Sequence, residues 1–203
     1  MPRALRTVLA IAAMLACVPV LGGEKDAPPS GTQPPAKAAN EWFRKQDAMR
    51  VRPELYAKIT PENVRIVINL ATQRASLMVG DEVCMDTPIS SGKRGAPTPV
   101  GPFTLLEKIK SHQSSTYGSF VDKRGRSVRS GISMKLDAAP AGTHYAADPM
   151  PHFCRFTESG FGIHGGTLPG YPAAHGSIRV PEEAARIIFE TARVGTPIEV
   201  RAE

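Results

Sequence analysis

From residue 64 onward, short apolar runs broken by polar residues and turn signals predict strands, not helices. Residues 64–69 (VRIVIN) carry β-branched side chains with polar interruptions, the pattern of a half-buried strand. Residues 75–79 and 82–85 flank Gly80-Asp81, a good hairpin turn pair, and 87–91 continue the second strand. In residues 92–102 (GKRGAPTPVGP), glycine and proline punctuate a loop of fixed shape. A strand is expected over 103–109 (FTLLEKI). Residues 111–150, rich in Ser, Gly, Asp and Pro, read as loops with short strands near Phe120-Val121 and over 132–136. Residues 153–157 and 161–164 read as paired strands across Glu158-Ser159-Gly160, with His164 at the end of the second.

One helix is well marked. Pro181 suits a first helical position, Glu182 and Glu183 suit the first turn, and Ala184, Ile187, Ile188 and Thr191 fall on one face. Arg193 is expected in the last turn, Gly195 as the stop, and 198–201 as a closing strand. The domain therefore reads as mainly β, with no internal repeat.

The first third is organised differently. Arg3 and Arg6 precede an apolar run over 8–20, so 1–22 reads as an export signal, too short for a comfortable membrane span. Met14-Leu15-Ala16-Cys17 offers a second reading, a lipoprotein cleavage box that would lipidate Cys17 and anchor the chain to the outer membrane. Residues 23–40 form a Pro-rich flexible tether. Residues 41–62 read as an N-terminal helical segment, with Asn40 as N-cap and Pro53 breaking two short helices. Trp42 and Phe43 would dock this segment on the domain over 63–201.

Composition narrows the picture. A 203-residue chain with 41% hydrophobic content supports one domain with a real core. The net charge of +6 falls to +4 without Arg3 and Arg6, and the basic residues are spread out. Nucleic-acid binding wants a clustered basic face, which is absent. Cys84 and Cys154 remain after the leader, either as a disulfide or as two small buried hydrophobes.

The chemistry gathers in residues 162–181, GIHGGTLPGYPAAHGSIRVP. His164 and His175 are each followed by glycine, and Ser177 and Arg179 follow the second pair. A hydroxyl nucleophile, an imidazole base, N–H groups freed by glycine and a cation make the inventory of acyl transfer. His164, arriving from a separate strand, is the better base for Ser177, because His175 is only two residues away. No HExxH or CxxC spacing stands near these histidines, so no metal or cofactor is expected. Nothing around Cys154 supplies a glycine turn for a nucleophile.

The run IHGG, a short Gly/Pro/Tyr segment, then His-Gly-nucleophile-Ile-Arg and Pro resembles the catalytic signature of the L,D-transpeptidases, the YkuD fold. The SSGKRGAPTPVGPF run resembles the loop that follows their third strand, so the resemblance covers about residues 64–201. It implies a β-sandwich or barrel, with a segment like 111–150 lying over the site. It also implies that His164 is the base, with Gly165 in its support. His175 and Gly176 shape the nucleophile turn, and Arg179 is a pocket residue. The family's nucleophile is cysteine, but this chain has Ser177; Ala174 stands where the family usually has Ser or Thr.

The function expected is a monomeric, exported acyltransferase of the periplasm or cell envelope, acting on peptidoglycan stem peptides. Its acyl-enzyme forms on Ser177, with the oxyanion held by N–H groups at Gly176-Ser177. The alternatives are an inactive peptidoglycan-binding protein and a carboxypeptidase that releases D-Ala to water.

Overall fold

The structure, a computed structural model, describes residues 47–203. The leader, Cys17, the tether, Asn40, Trp42 and Phe43 lie outside the described residues.

The alternating segments form two sheets. The first contains β1 (Arg50–Val51), β2 (Val64–Asn69), β3 (Arg74–Val79), β4 (Glu82–Pro88), β5 (Gly101–Thr104) and β11 (Pro197–Arg201), in the order β1-β4-β3-β2-β11-β5. The second contains β6 (Glu107–Val121), β7 (Ser127–Ser133), β8 (His144–Arg155), β9 (Gly162–Gly165) and β10 (Ile178–Val180), in the order β10-β9-β8-β6-β7. Pairing is antiparallel except for β11 beside β2 and β10 beside β9. The turn at Gly80-Asp81 joins β3 to β4, with Gly80 at φ +56°.

One core ties both sheets to the helix α2 (Glu182–Thr191). Ile66, Ile68, Leu77 and Met85 from the first sheet meet Cys154, Ile163, Ile178 and Val180 from the second, with Ala184, Ala185 and Ile188 from α2. Each fully buried isoleucine or leucine is worth roughly 1.5–3 kcal/mol relative to exposure. Two isolated bridges, Ser90↔Arg179 and Gly92↔Ala174, fasten the segment after β4 to the residues on either side of Ser177.

Several local expectations are corrected. Residues 111–150 are not loops with short strands: β6 and β8 are long antiparallel partners, and β7 adds an edge. Their polar sequence fits because this arm stands largely clear of the core and its side chains are mostly exposed or half-buried. The expected strand over 103–109 breaks in two at Leu105-Leu106. The helical segment over 41–62 contains among its described residues only α1 (Pro53–Tyr56), where Pro53 opens the helix instead of breaking one. Arg50 and Val51 pair with β4. Pro181 caps α2, and the helix ends at Ala192, whose extended backbone stops it before Arg193 and Gly195. Of the two readings left open for Cys84 and Cys154, the structure shows the second: both are free and buried.

Candidate functional site

Two short strands build the site. In the parallel pair β9–β10, His164 stands opposite Arg179 and Ile163 opposite Ile178. Both strands hold because their apolar positions are fully buried: Ile163, Ile178 and Val180 each expose 1% or less. Ser177 precedes β10, and its Oγ accepts a hydrogen bond from the Gly162 N–H at 3.2 Å. Ser177 therefore stands beside Gly162, diagonally across the pair from His164.

His164 is 6% exposed, and its Nδ1 lies 2.9 Å from the Gly165 carbonyl oxygen. A carbonyl only accepts, so Nδ1 carries the proton and Nε2 keeps the lone pair. Burial lowers its pKa to about 4; the positive fields of Arg179 and His112 add to this, while the Gly165 bond opposes it. The imidazole is thus neutral across the physiological range. His164 and Ser177 are not hydrogen-bonded to each other, but both line one cleft of about 1260 Å³ together with Arg179, His175 and Lys93.

Glycine is required in the turn before Ser177. Gly176 has φ +100°, and a Cβ there would lie 2.5 Å from the Phe161 ring. Gly165 is needed for packing instead: a Cβ would crowd Pro151 at 3.1 Å and the Glu182 backbone at 3.2 Å. Neither the Gly176 nor the Ser177 N–H donates a hydrogen bond within the described residues.

Residues 63–200 match the YkuD L,D-transpeptidase catalytic domain. The chain belongs to the L,D-transpeptidase catalytic-domain family. It is similar to an L,D-transpeptidase from Mycobacterium smegmatis, with 25% identity and a TM-score of 0.52 over 69% of this chain and 59% of that one. It is also similar to the L,D-transpeptidase LdtMt1 in complex with imipenem, with 22% identity and a TM-score of 0.51 over 68% of this chain and 59% of that one. The chain thus spans about three fifths of the length of these structures. No curated protein matches it.

Within this L,D-transpeptidase fold, the Arg179 side chain runs against Gly166 and forms no ion pair among the described residues, so Glu182 and Glu183 do not neutralise it. Ala174, the family departure, is 2% exposed, and its backbone donates to Ser91 O and accepts from Lys93 N. It holds the bridge to the loop after β4 through its main chain alone. Cys154 is held in the core, where burial pushes its thiol up to about 12, so it has no nucleophilic character. Among the described residues no three His, Cys, Asp or Glu side chains gather to hold a metal ion.

Three residues at the site were not singled out by the motif. Lys93 places its Nζ 2.8 Å from His175 Nε2. An ammonium only donates, so His175 is neutral here, with its proton on Nδ1. Burial and the Lys93 and Arg179 charges lower its pKa, in accord with that state. Tyr117 stacks on the His175 ring at 3.8 Å and 13°. His112 stacks on Phe153 at 4.3 Å and adds to the positive field at His164. Lys93 lies in the GKRG run, where only its neighbourhood in the motif loop hinted at a role. Tyr117 and His112 sit in the segment read as loop, where no local signal marks them.

Proposed function

We propose that this protein is an acyltransferase of the cell envelope that works on peptidoglycan stem peptides through an acyl-enzyme on Ser177. The observation that carries this reading is the pairing of β9 with β10. It places a buried, neutral imidazole and a serine hydroxyl diagonally across one strand pair in one cleft.

The chemistry follows from the bonds each group makes. The Gly162 N–H uses one lone pair of Ser177 Oγ and leaves the hydroxyl proton free to donate. As Oγ attacks the carbonyl of the stem peptide's third residue, His164 Nε2 takes that proton. A serine alkoxide is too costly to form in advance, so transfer and attack are concerted. The free N–H groups of Gly176 and Ser177 receive the oxyanion. His164 then hands its proton to the departing D-Ala nitrogen. Arg179, without an anionic partner among the described residues, holds a substrate carboxylate. An amine or water next releases the acyl group. The leader delivers the chain to the envelope as a monomer, by simple secretion or through lipid on Cys17.

Intact-mass analysis tests this. The purified protein is incubated with a stem tetrapeptide or with imipenem, the ligand bound in the LdtMt1 structure. An adduct mapped to Ser177 is expected. An adduct only in Ser177→Cys would identify a wall-binding protein with an intact cleft and no working nucleophile. No adduct in either protein would overturn the site.

A further inference from the structure

We propose that the β6–β7 hairpin and the turn that follows it dock the protein on an anionic lipid surface, the face of a phospholipid bilayer. The inference goes beyond the acyl-enzyme reading and does not depend on it.

Charge is placed unevenly over the described residues. The hairpin end and the turn, residues 121–137, carry five basic side chains, Lys123, Arg124, Arg126, Arg129 and Lys135, against two acidic ones, Asp122 and Asp137. The remaining described residues balance, with 14 basic and 14 acidic side chains. All five cations are exposed. Both acids are committed to local structure. Asp122 Oδ1 accepts the Arg124 and Arg126 N–H groups at 2.8 and 3.0 Å, and its Oδ2 pairs with the Arg126 guanidinium at 2.8 Å. Asp137 accepts the Ser133 N–H at 2.8 Å and pairs with Arg129 at 2.7 Å, which folds the turn back onto the middle of β7. Lys123, Arg124 and Lys135 are left without an acidic partner among the described residues.

Three large apolar side chains stand in the open among these cations: Val128 is 55% exposed, Met134 52% and Leu136 88%. Isolated apolar residues are ordinary on a surface, but three so close along one sheet edge form a patch. Cations mixed with aliphatic side chains suit the boundary between headgroups and acyl chains. The ammonium and guanidinium groups meet lipid phosphates while the aliphatic groups enter the acyl layer. A soluble polyanion would reward the cations alone. A nucleic acid calls for aromatic rings to stack on, and residues 121–137 contain none.

Strand addition fits this edge poorly. β7 is the last strand of its sheet, so its outer edge is open. Val128 and Gly131 are both skipped in its register with β6, and Gly131 has φ +68°. Two bulges so close together break the ladder that an added strand needs, and like charges repel a second copy. The edge therefore offers its side chains and not its backbone. Ser130 and Gly131 also line the cleft that holds Ser177, so docking holds the cleft mouth beside the lipid.

The test sediments the purified full chain with vesicles of phosphatidylcholine alone, or of phosphatidylcholine with one-third phosphatidylglycerol, at low and at physiological salt. Binding should favour the anionic vesicles and weaken with salt. Each cation is worth about fivefold at an anionic lipid surface, so Lys123→Gln, Arg124→Gln and Lys135→Gln together should lower the partition coefficient about a hundredfold. Met134→Ser with Leu136→Ser should lower it about tenfold, and that loss should persist at high salt. All five positions are exposed, so the unfolding midpoint should not move. The leader is common to every variant; a readout confined to the hairpin is slowed amide exchange over residues 122–137 on anionic vesicles. Exchange unchanged by vesicles overturns the proposal, whatever the leader binds. Soluble polyphosphate held as tightly as the vesicles, with no loss in the serine pair, also overturns it and names a polyanion site instead. Ser177→Ala should bind the vesicles as the wild type does, so failure of the acyl-enzyme reading leaves this result standing.

Discussion

Acidification should expose His164 as a stability liability, and the size of the effect follows from its burial. The folded protein holds this imidazole at a pKa of about 4, against 6.5 for an ordinary histidine. Below pH 6.5 the unfolded chain binds a proton that the folded one refuses. Stability contributed by this group is therefore whole above pH 6.5 and is lost as pH falls toward 4. At 1.36 kcal/mol per pKa unit, the loss is about 1.4 kcal/mol at pH 5.5 and about 3 kcal/mol at pH 4. The perturbation is His164→Gln, which removes the titrating group and retains a polar side chain. Urea unfolding of both proteins at pH 7, 5.5 and 4 gives the difference directly. All other titrations cancel, and the lost bond to the Gly165 carbonyl enters as a constant offset. The wild type should lose about 3 kcal/mol more than the variant between pH 7 and pH 4. Parallel stability curves would falsify the claim that His164 is buried and neutral.

Gly176→Ala should cost about 1–2 kcal/mol from the positive φ alone, plus the displacement of the Phe161 ring. Phe161→Ala should return only the ring's share in a double-mutant unfolding cycle, and acylation at residue 177 should stay impaired in both. Cys84 and Cys154 should resist a thiol reagent at pH 8 in the native state and react once denaturant is added, because burial raises both thiols. Rapid native labelling of Cys154 would contradict its place in the core.

How legible the site was differs residue by residue. His164, Gly176, Ser177 and Arg179 were readable because a short stretch of chain fixes them through local rules. The glycine must take a positive φ, the strands must bury Ile163, Ile178 and Val180, and the polar residues alternate with these. Lys93, Tyr117 and His112 were not readable from the motif. Lys93 and His175 are 82 positions apart, and a contact over that distance leaves no periodic trace. The arm formed by β6, β7 and β8 was misread for a related reason. Strand signals come from apolar alternation, and these strands carry Ser, Thr, Gln and Gly because one face looks onto a cleft.

The sequence by itself determined the mainly β character, the hairpin at Gly80-Asp81, the helix after the site, and the placing of histidine, glycine, serine and arginine in one run. These are set by period-two burial, turn chemistry and helix-end preferences, all of which act within a few residues. Only the tertiary structure decided the parallel pairing that brings His164 opposite Arg179, and the Gly165 carbonyl that fixes its tautomer. It alone also decided the free thiols at Cys84 and Cys154 and the contacts of Lys93 and Tyr117 with His175. Each depends on which distant segments meet, and that is settled by the shared core of two sheets and one helix.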